Sequence, residues 1–483
     1  MMTEPERRDR LIIRRRPGDL ETPVSAMMKL GYDTPGTFLF ESIHGGERLG
    51  RYSFIGLAPR RWMRVQDGVG EVSDNIAFVG AERLDATPKD ALRAFAASAR
   101  ANVPDDAADL PPMASGAFGY VGYDFIQHVE PVSITKPDTM NVPEALLTIP
   151  SVVLIFDHLY QELILVGRYS DGEETRINRL LDNVENSLEA PLPLSPRDGQ
   201  PEDLDFTSNT TQNQYFDMVE TARDYIKAGD IFQVVPSQRF SAPFQRKSIS
   251  FYRALRRLNP SAFMFHMNLG EVRLVGSSPE ILVRVRDGRV AIRPIAGTRP
   301  RSGDPVVDAE RKADLLTDQK EIAEHLMLLD LGRNDVGRVA AYGSVEVTER
   351  FIVERYSHVM HIVSHVEGDL REGLDAVDAL IAGLPAGTVS GAPKIRAMQI
   401  IDELEQNARS IYGGAIGYFG WNGDMDTCIA LRTAVLKDGQ LHIQAGGGVV
   451  LDSNPQYEFD ETVHKANALK KAAALAAAYE FDQ

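Results

Sequence analysis

Residues 151–166 read SVVLIFDHLYQELILV. Two mostly apolar runs, Ser151–Phe156 and Glu162–Val166, are separated only by Asp157–Gln161. Short apolar runs on either side of so brief a connection predict two buried strands joined as a hairpin. Further strands are expected at Ile231–Val235, Arg273–Gly276, Ile281–Val285, Val290–Ile295 and Leu441–Ala445, with Asp287-Gly288 as a hairpin turn. Helices interrupt them. Between Pro88 and Ala101, the residues Leu92, Phe95, Ala96 and Ala99 share one helical face, and Pro88 suits a first turn. Residues 212–228 place Tyr215, Met218, Val219, Ala222, Tyr225 and Ile226 on one face, with Thr210 or Thr211 as cap and Gly229 as stop. Hairpins mixed with long helices indicate an α+β fold of layered antiparallel sheets with packed helices, not a doubly wound sheet. The proline-rich, aperiodic stretch 187–211 reads as a linker between an N-terminal part, 1–186, and a C-terminal part, 212–483.

The chain has 483 residues, ordinary globular composition and a net charge of −17. That excess of acid disfavours nucleic acid as a partner. The single cysteine, Cys428, excludes an internal disulfide and a cysteine-cluster metal site. No apolar run approaches the roughly 18 residues of a membrane span. The arginines at 7, 8, 10 and 14–16 lack the apolar core of a signal peptide, so 1–16 reads as a solvated leader before the first strand. The expected location is cytoplasmic.

Three constellations carry chemical potential. In TDQKEIAEHLMLLDL (317–331), Ile322, Leu326 and Leu329 form an apolar stripe, and Glu321, Glu324 and His325 fall on one side of a helix. Glu458 and Glu461 repeat the i, i+3 spacing in QYEFDETVHKAN. Two such pairs can converge on a hard divalent cation such as magnesium, or can form solvated acidic faces. Glycine-rich segments at Ile295–Arg301, Pro385–Lys394, Tyr412–Gly414 and Gln444–Gly448 suit backbone contact with a small polyanion, although each alone also fits a tight turn. Arg432 and Lys465 are available to pair with carboxylates. The histidines His358, His361 and His365 in YSHVMHIVSHVEG read as core or site-lining side chains, one of which can serve as acid or base. These features describe an enzyme binding an anionic small molecule with magnesium; they leave the reaction open.

The motifs IAGTRPR, KEIAEHLMLLDLGRND, HVMHIVSHVEG, PAGTVSGAPK, YGGAIGYF, DTCIALRTAV and AGGGVVLDSNPQYEFDET occur here in the order found in anthranilate synthase component I, which the chain resembles from about Thr22 to Ala474. The resemblance implies a lyase that converts chorismate and ammonia to anthranilate and pyruvate with Mg2+, in the first committed step of tryptophan biosynthesis. It implies Glu324 and Glu461 as metal ligands, with Glu321 and Glu458 as their neighbours. Gln233, Gly297, Thr298, Tyr412, Arg432, Gly446, Gly447, Gly448 and Lys465 would hold chorismate. Glu280 would be the acid that assists loss of the ring hydroxyl, with His361 and Thr388 at the catalytic centre.

Where related water-using synthases carry a lysine base this chain has Gln233, and where aminodeoxychorismate synthases often carry a lysine nucleophile it has Ala296. Both point to direct attack by ammonia. A feedback site for tryptophan is implied at Glu41, Ser42, Arg51, Tyr52 and Ser53 together with Ala262, Phe263 and Met264, of which Ala262 and Phe263 depart from the family's Pro and Tyr. The ammonia would come from solution or from a glutamine amidotransferase subunit in a hetero-oligomer. An aminating synthase that stops at 2-amino-2-deoxyisochorismate, and a silent chorismate- or tryptophan-binding regulatory subunit, are the alternatives.

Overall fold

The computed structural model describes residues 9–42, 50–103, 109–192, 195–196, 199–355 and 359–482; His358 lies outside them. Two long strands organise it. Tyr52–Gln66 and Ala145–Asp157 pair antiparallel along their lengths, with a register slip between Pro59 and Arg61. At that slip Ala58 takes a left-handed φ of 51°, and the ribbon bends from one sheet into another.

On one side of the bend, Phe38–Glu41 joins the first long strand and Glu162–Tyr169 the second. This sheet continues from Phe38–Glu41 through Phe263–Leu269, Val272–Ser278, Thr433–Lys437 and Gln440–Gly446 to Ser237–Pro243. Across the bend, Gly116–Val121 pairs with the start of Ala145–Asp157. The second sheet then runs through Ala415–Gly420, Met425–Ile429, Ile281–Arg286 and Arg289–Ile292 to Val359–Asp369, which also pairs with Ile295–Pro300 and Glu346–Arg355. Chain from both sides of 187–211 therefore contributes to both sheets.

The sheets face each other across an aromatic core. Phe38 lies 4.7 Å from Phe118 between ring centroids, and Phe40 stacks on Phe54 at 5.1 Å. Helices cover the outer faces. Pro23–Leu30, Glu174–Glu189, Ser248–Leu258 and Pro455–Leu475 pack on the first sheet; Pro88–Ser98, Gln319–Val339 and Ala376–Gly383 pack on the second. The result is a four-layer helix–sheet–sheet–helix α+β fold. Among the described residues no helix is long and apolar enough to cross a membrane.

Local chemistry accounts for the elements the sequence predicts. Thr87 caps Pro88–Ser98, and Thr211 caps Gln212–Ala228, whose end is set by Gly229 at φ 85°. Asp287 and Gly288, at φ 50° and 74°, make the primed turn between paired Arg286 and Arg289.

Four expectations need correction. Only Gln233–Val234 of 231–235 is strand, and Phe232 is 71% exposed, because this segment pairs with the short Gly391–Ala392 and otherwise makes only a single bridge, Val234 to Val449. The run 290–295 is broken between Ile292 and Ile295, where the chain shifts to a different stretch of Val359–Asp369. The linker is partly regular: a helix extends to Glu189, Ser195–Pro196 pairs with Phe481–Asp482, and Thr207–Ser208 pairs with Ser237–Pro243. The supposed leader is a strand from Asp9 to Pro17, whose arginines find acidic partners; Arg14 reaches Asp182 at 2.8 Å and Glu185 at 2.6 Å.

Candidate active site

The two acidic helices belong to opposite outer layers, and their first turns converge. Asp318 caps Gln319–Val339 and Asn454 caps Pro455–Leu475, so Glu321 and Glu458 lie in first turns near positive helix ends, with Glu324 and Glu461 about one turn further in. Burial raises the Glu324 carboxyl above the usual range, and the charges of Glu321 and Glu461 add to the shift. Glu458 is pushed up to about 7 by burial and by Glu461. Lys465 offsets part of this repulsion; its Nζ lies 3.2 Å from Glu461 and donates to the Gly446 carbonyl at 2.9 Å. Among the described residues no three acidic, histidine or cysteine side chains form a ready metal cage.

His325 does not share the acidic side as its spacing suggests. It is fully buried, meets Ser364 Oγ at 2.7 Å and packs edge-on to Phe351. The apolar stripe shifts with it: Leu328 and Leu329 are buried, whereas Leu326 is 42% exposed. A helix wedged between a sheet and a polar cleft buries a different arc from one lying flat on a core, and spacing alone does not reveal which arc that is.

The glycine segments close round the carboxylates. A Cβ on Gly447 would sit 3.2 Å from both Glu458 and Glu461, and one on Gly446 would sit 3.1 Å from the Tyr412 hydroxyl. A Cβ on Gly448 would come within 2.7 Å of Gln233 Nε2. Opposite, Gly297 adopts φ 72° where the register slips between Ala296 and Thr298, a bulge that a glycine accommodates without strain. A Cβ on Gly297 would lie 3.1 Å from Glu321. Arg299, on the same strand, holds the start of the acidic helix through Asp318 at 2.6 Å and Glu321 at 3.2 Å.

His361 pairs across the strands with Thr298. Its Nδ1 lies 3.0 Å from Thr298 Oγ1 and 3.2 Å from the Gly297 carbonyl. A carbonyl only accepts, so Nδ1 carries the hydrogen and Nε2 is the basic nitrogen. Burial lowers this imidazole to about 4, leaving it neutral at physiological pH. Glu280 is buried, and its carboxyl accepts from Thr388 Oγ1 at 3.2 Å. Loss of solvent pushes it up to about 8, with Thr388, Arg432 and Lys465 pulling the other way. Arg432 itself takes a left-handed φ of 48°, and its carbonyl accepts from Ser277.

A model of the chorismate binding enzyme family matches residues 54–471. The chain is 51% identical over 476 residues to anthranilate synthase component 1 of Cereibacter sphaeroides, covering 96% of this chain and 94% of that one. This chain belongs to the chorismate binding enzymes, among the anthranilate synthase component 1 proteins. The corresponding protein of Pseudomonas aeruginosa is 50% identical, covering 95% of this chain and 94% of its own. The crystal structure of anthranilate synthase component I from Streptococcus pneumoniae superposes with a TM-score of 0.80 at 38% identity, covering 94% of this chain and 98% of that one.

The fold of this chorismate binding enzyme thus brings Gln233, Glu280, Gly297, Thr298, Glu321, Glu324, His361, Thr388, Tyr412, Arg432, Gly446–Gly448, Glu458, Glu461 and Lys465 to one region. His365, four residues further along the strand from His361, lies 3.7 Å from Glu367.

The other predicted cluster assembles elsewhere, at the edge of the aromatic core. Glu41 is buried opposite Met264, accepts from Tyr252 and takes Arg256 on both oxygens at 2.9 and 3.0 Å. Ser53 Oγ lies 2.7 Å from His158 Nε2, and Arg51 pairs with Asp157 while lying over Tyr52 and Tyr160. Phe263 pairs with Ser278, two residues before Glu280, so the strand bordering this cluster leads to Glu280. Ala262 is buried at the entry to that strand.

The sequence reading missed the buried ion pairs behind the site. Arg409 bonds to Glu405 and donates to the carbonyls of Val389 and Val235, both at 2.6 Å. Glu405 also accepts from Ser237. Together they tie the Thr388 turn to the segment carrying Gln233. Lys394 donates to Asp335 at 2.7 Å. Lys394 ends one quoted motif and Arg409 sits beside another, yet charged residues are ordinarily exposed, and nothing local marks these as buried.

Proposed function

We propose that this enzyme converts chorismate and ammonia to anthranilate and pyruvate in the cytoplasm, at the first committed step of tryptophan biosynthesis. The observation that carries the reading is Glu280: a buried carboxyl held at about 8, hence protonated at neutral pH, beside Thr388 and near two cations. Hydroxide is a poor leaving group, and a proton held at this position overcomes that obstacle. Arg432, Lys465, the Tyr412 hydroxyl and the glycine backbone offer donors for the two carboxylates of chorismate.

Glu324 and Glu461 suit Mg2+, with Glu321 and Glu458 beside them: four carboxylates crowd together with Lys465 at Glu461 and Arg299 at Glu321 as near cations, and carboxylate oxygens are magnesium's donors. When bound, the ion would neutralise the ring-attached carboxylate and draw charge from the departing hydroxyl. Gln233 cannot deprotonate water; its buried Oε1 has no hydrogen-bond partner among the described residues and offers an acceptor to ammonia. In the second step the ring proton beside the new amine leaves, and neutral His361, through Nε2, suits its removal as pyruvate departs.

Cys428 is buried, and burial raises its thiol, so it is no glutaminase nucleophile. The ammonia therefore comes from solution or from a separate amidotransferase subunit. The test is fluorescence of anthranilate formed from chorismate, ammonium and Mg2+, with pyruvate measured alongside. Equal amounts of the two products, abolished by EDTA, are expected. Accumulation of an aminated intermediate without pyruvate would remove the second step, and no turnover at all would favour a silent binding subunit.

The Glu41, Ser53 and Met264 cluster is read as the tryptophan feedback site. Ser42→Phe is expected to raise the tryptophan concentration for half-inhibition at least tenfold while leaving uninhibited turnover within twofold. Unchanged inhibition would place the regulatory pocket elsewhere.

A further inference from the structure

Beside Glu280 lies a cavity of about 30 Å³ whose lining includes Glu280, Thr388 and Asp335. Space of this size takes one or two water molecules, given that a single water needs roughly 10–15 Å³. The helix Gln319–Val339 forms one wall with Leu328, Gly332 and Asp335, and Ile292 and Pro294 form the facing wall. Asp335 is 4% exposed. Its Oδ2 takes Lys394 at 2.7 Å, while its Oδ1 has no hydrogen-bond partner among the described residues. Lys394 also reaches the carbonyl of Gly383 at 3.3 Å, so the pair is locked to the end of a helix. The other charged groups acting on Asp335 are Arg338 and Glu130. None of this is needed to hold chorismate, and a half-partnered buried carboxylate is costly to keep unless the cavity beside it is used.

We infer that this cavity is a proton relay, with water in it linking Glu280 to Asp335, and that Asp335 is a positioning residue that acts through Glu280. The inference rests on the reading of Glu280 as the acid. In the amination step the C–O bond breaks as Glu280 gives its proton to the leaving oxygen, and water departs. The attacking ammonia becomes an alkylammonium and sheds one proton. The two protons balance, so the cycle requires a route back to the buried carboxylate and no further reagent. The ammonium proton leaves to solvent, and an equivalent proton returns to Glu280 through Asp335 and the cavity water.

Two variants test it. In Gly332→Ala the new methyl enters between the walls, 3.2 Å from Pro294 and 3.6 Å from Ile292, contacts that side chains absorb by small shifts. Alanine is also the better helix former, so the fold is retained. Turnover is expected to fall about tenfold at unchanged KM, and a curved proton inventory in mixed light and heavy water is expected to become linear. Asp335→Asn keeps the shape and is expected to lower kcat by ten- to a hundredfold with the same loss of curvature. A merely structural role for Asp335 would lower thermal stability without changing the inventory. If folded Gly332→Ala keeps wild-type kcat and a curved inventory, the relay is wrong. Wild-type protein that forms no anthranilate would instead overturn the functional reading, so the two failures are distinguishable.

Discussion

Glu280→Gln is expected to reduce kcat/KM by about a thousandfold, within the range for loss of a general acid, while the protein stays folded. Glutamine has the same shape and can still accept from Thr388, so the loss isolates the proton. The pH dependence follows in sign. Burial raises this carboxyl from the ordinary glutamate value to about 8, and on the proposed acid role the protonated form is the active one. Wild-type turnover should therefore decline as pH rises through about 8, and the small residual rate of the variant should lack that limb.

Stability also falls with rising pH, but over a lower range. The folded state holds a proton that the unfolded chain releases above about 4.5. Wild-type stability is thus undiminished by this group below that value, falls as pH rises to about 8, and is lowered by a constant amount beyond it. That amount is on the order of a few kcal/mol, and glutamine escapes it. The variant should melt at or above the wild-type temperature at pH 8.5. Activity within tenfold of wild type would remove Glu280 from the acid role.

Glu461→Gln should lower magnesium-dependent turnover by two to three orders of magnitude. Glu461 is the charge shared by the crowded group: it raises both Glu324 and Glu458 and pairs with Lys465. Its neutralisation relieves like-charge repulsion, so the metal-free variant should be at least as stable as the wild type. Binding of Mg2+ to the folded state alone stabilises it by about 2.7 kcal/mol at a hundredfold excess over Kd. The shift in melting temperature between EDTA and Mg2+ should therefore be clear in the wild type and largely absent in the variant. Calorimetric binding of tryptophan should persist in both, because Glu41 and its partners lie in a separate cluster. Unchanged turnover would remove Glu461 from the ligands.

Much of the site is legible residue by residue because each piece is a local signal. Gly297 marks a bulge, Asp287-Gly288 a primed turn, and Glu458 with Glu461 a helix face; each depends on a few neighbouring dihedral angles. His325 shows where local reading stops. Its spacing places it with Glu324, but the sheet carrying Ser364 lies against that side of the helix, so the ring is buried. Arg409 and Lys394 show the same limit. As isolated residues they read as solvated cations, and only the carbonyls and carboxylates brought to them from distant segments make burial tolerable.

By itself the sequence determined the α+β class, the family, the two acidic helix faces and the side chains that meet around them, because turn chemistry, periodicity and motif order are written in adjacent residues. Tertiary structure alone decided that strands from both sides of 187–211 share two sheets. It also decided that the acidic helices approach from opposite layers, and that Glu280 is buried beside a cavity that Asp335 also lines. Burial and electric field are sums over residues distant in the chain. The same glutamate in water would be an ordinary carboxylate; the packing around it lets it keep its proton up to about pH 8.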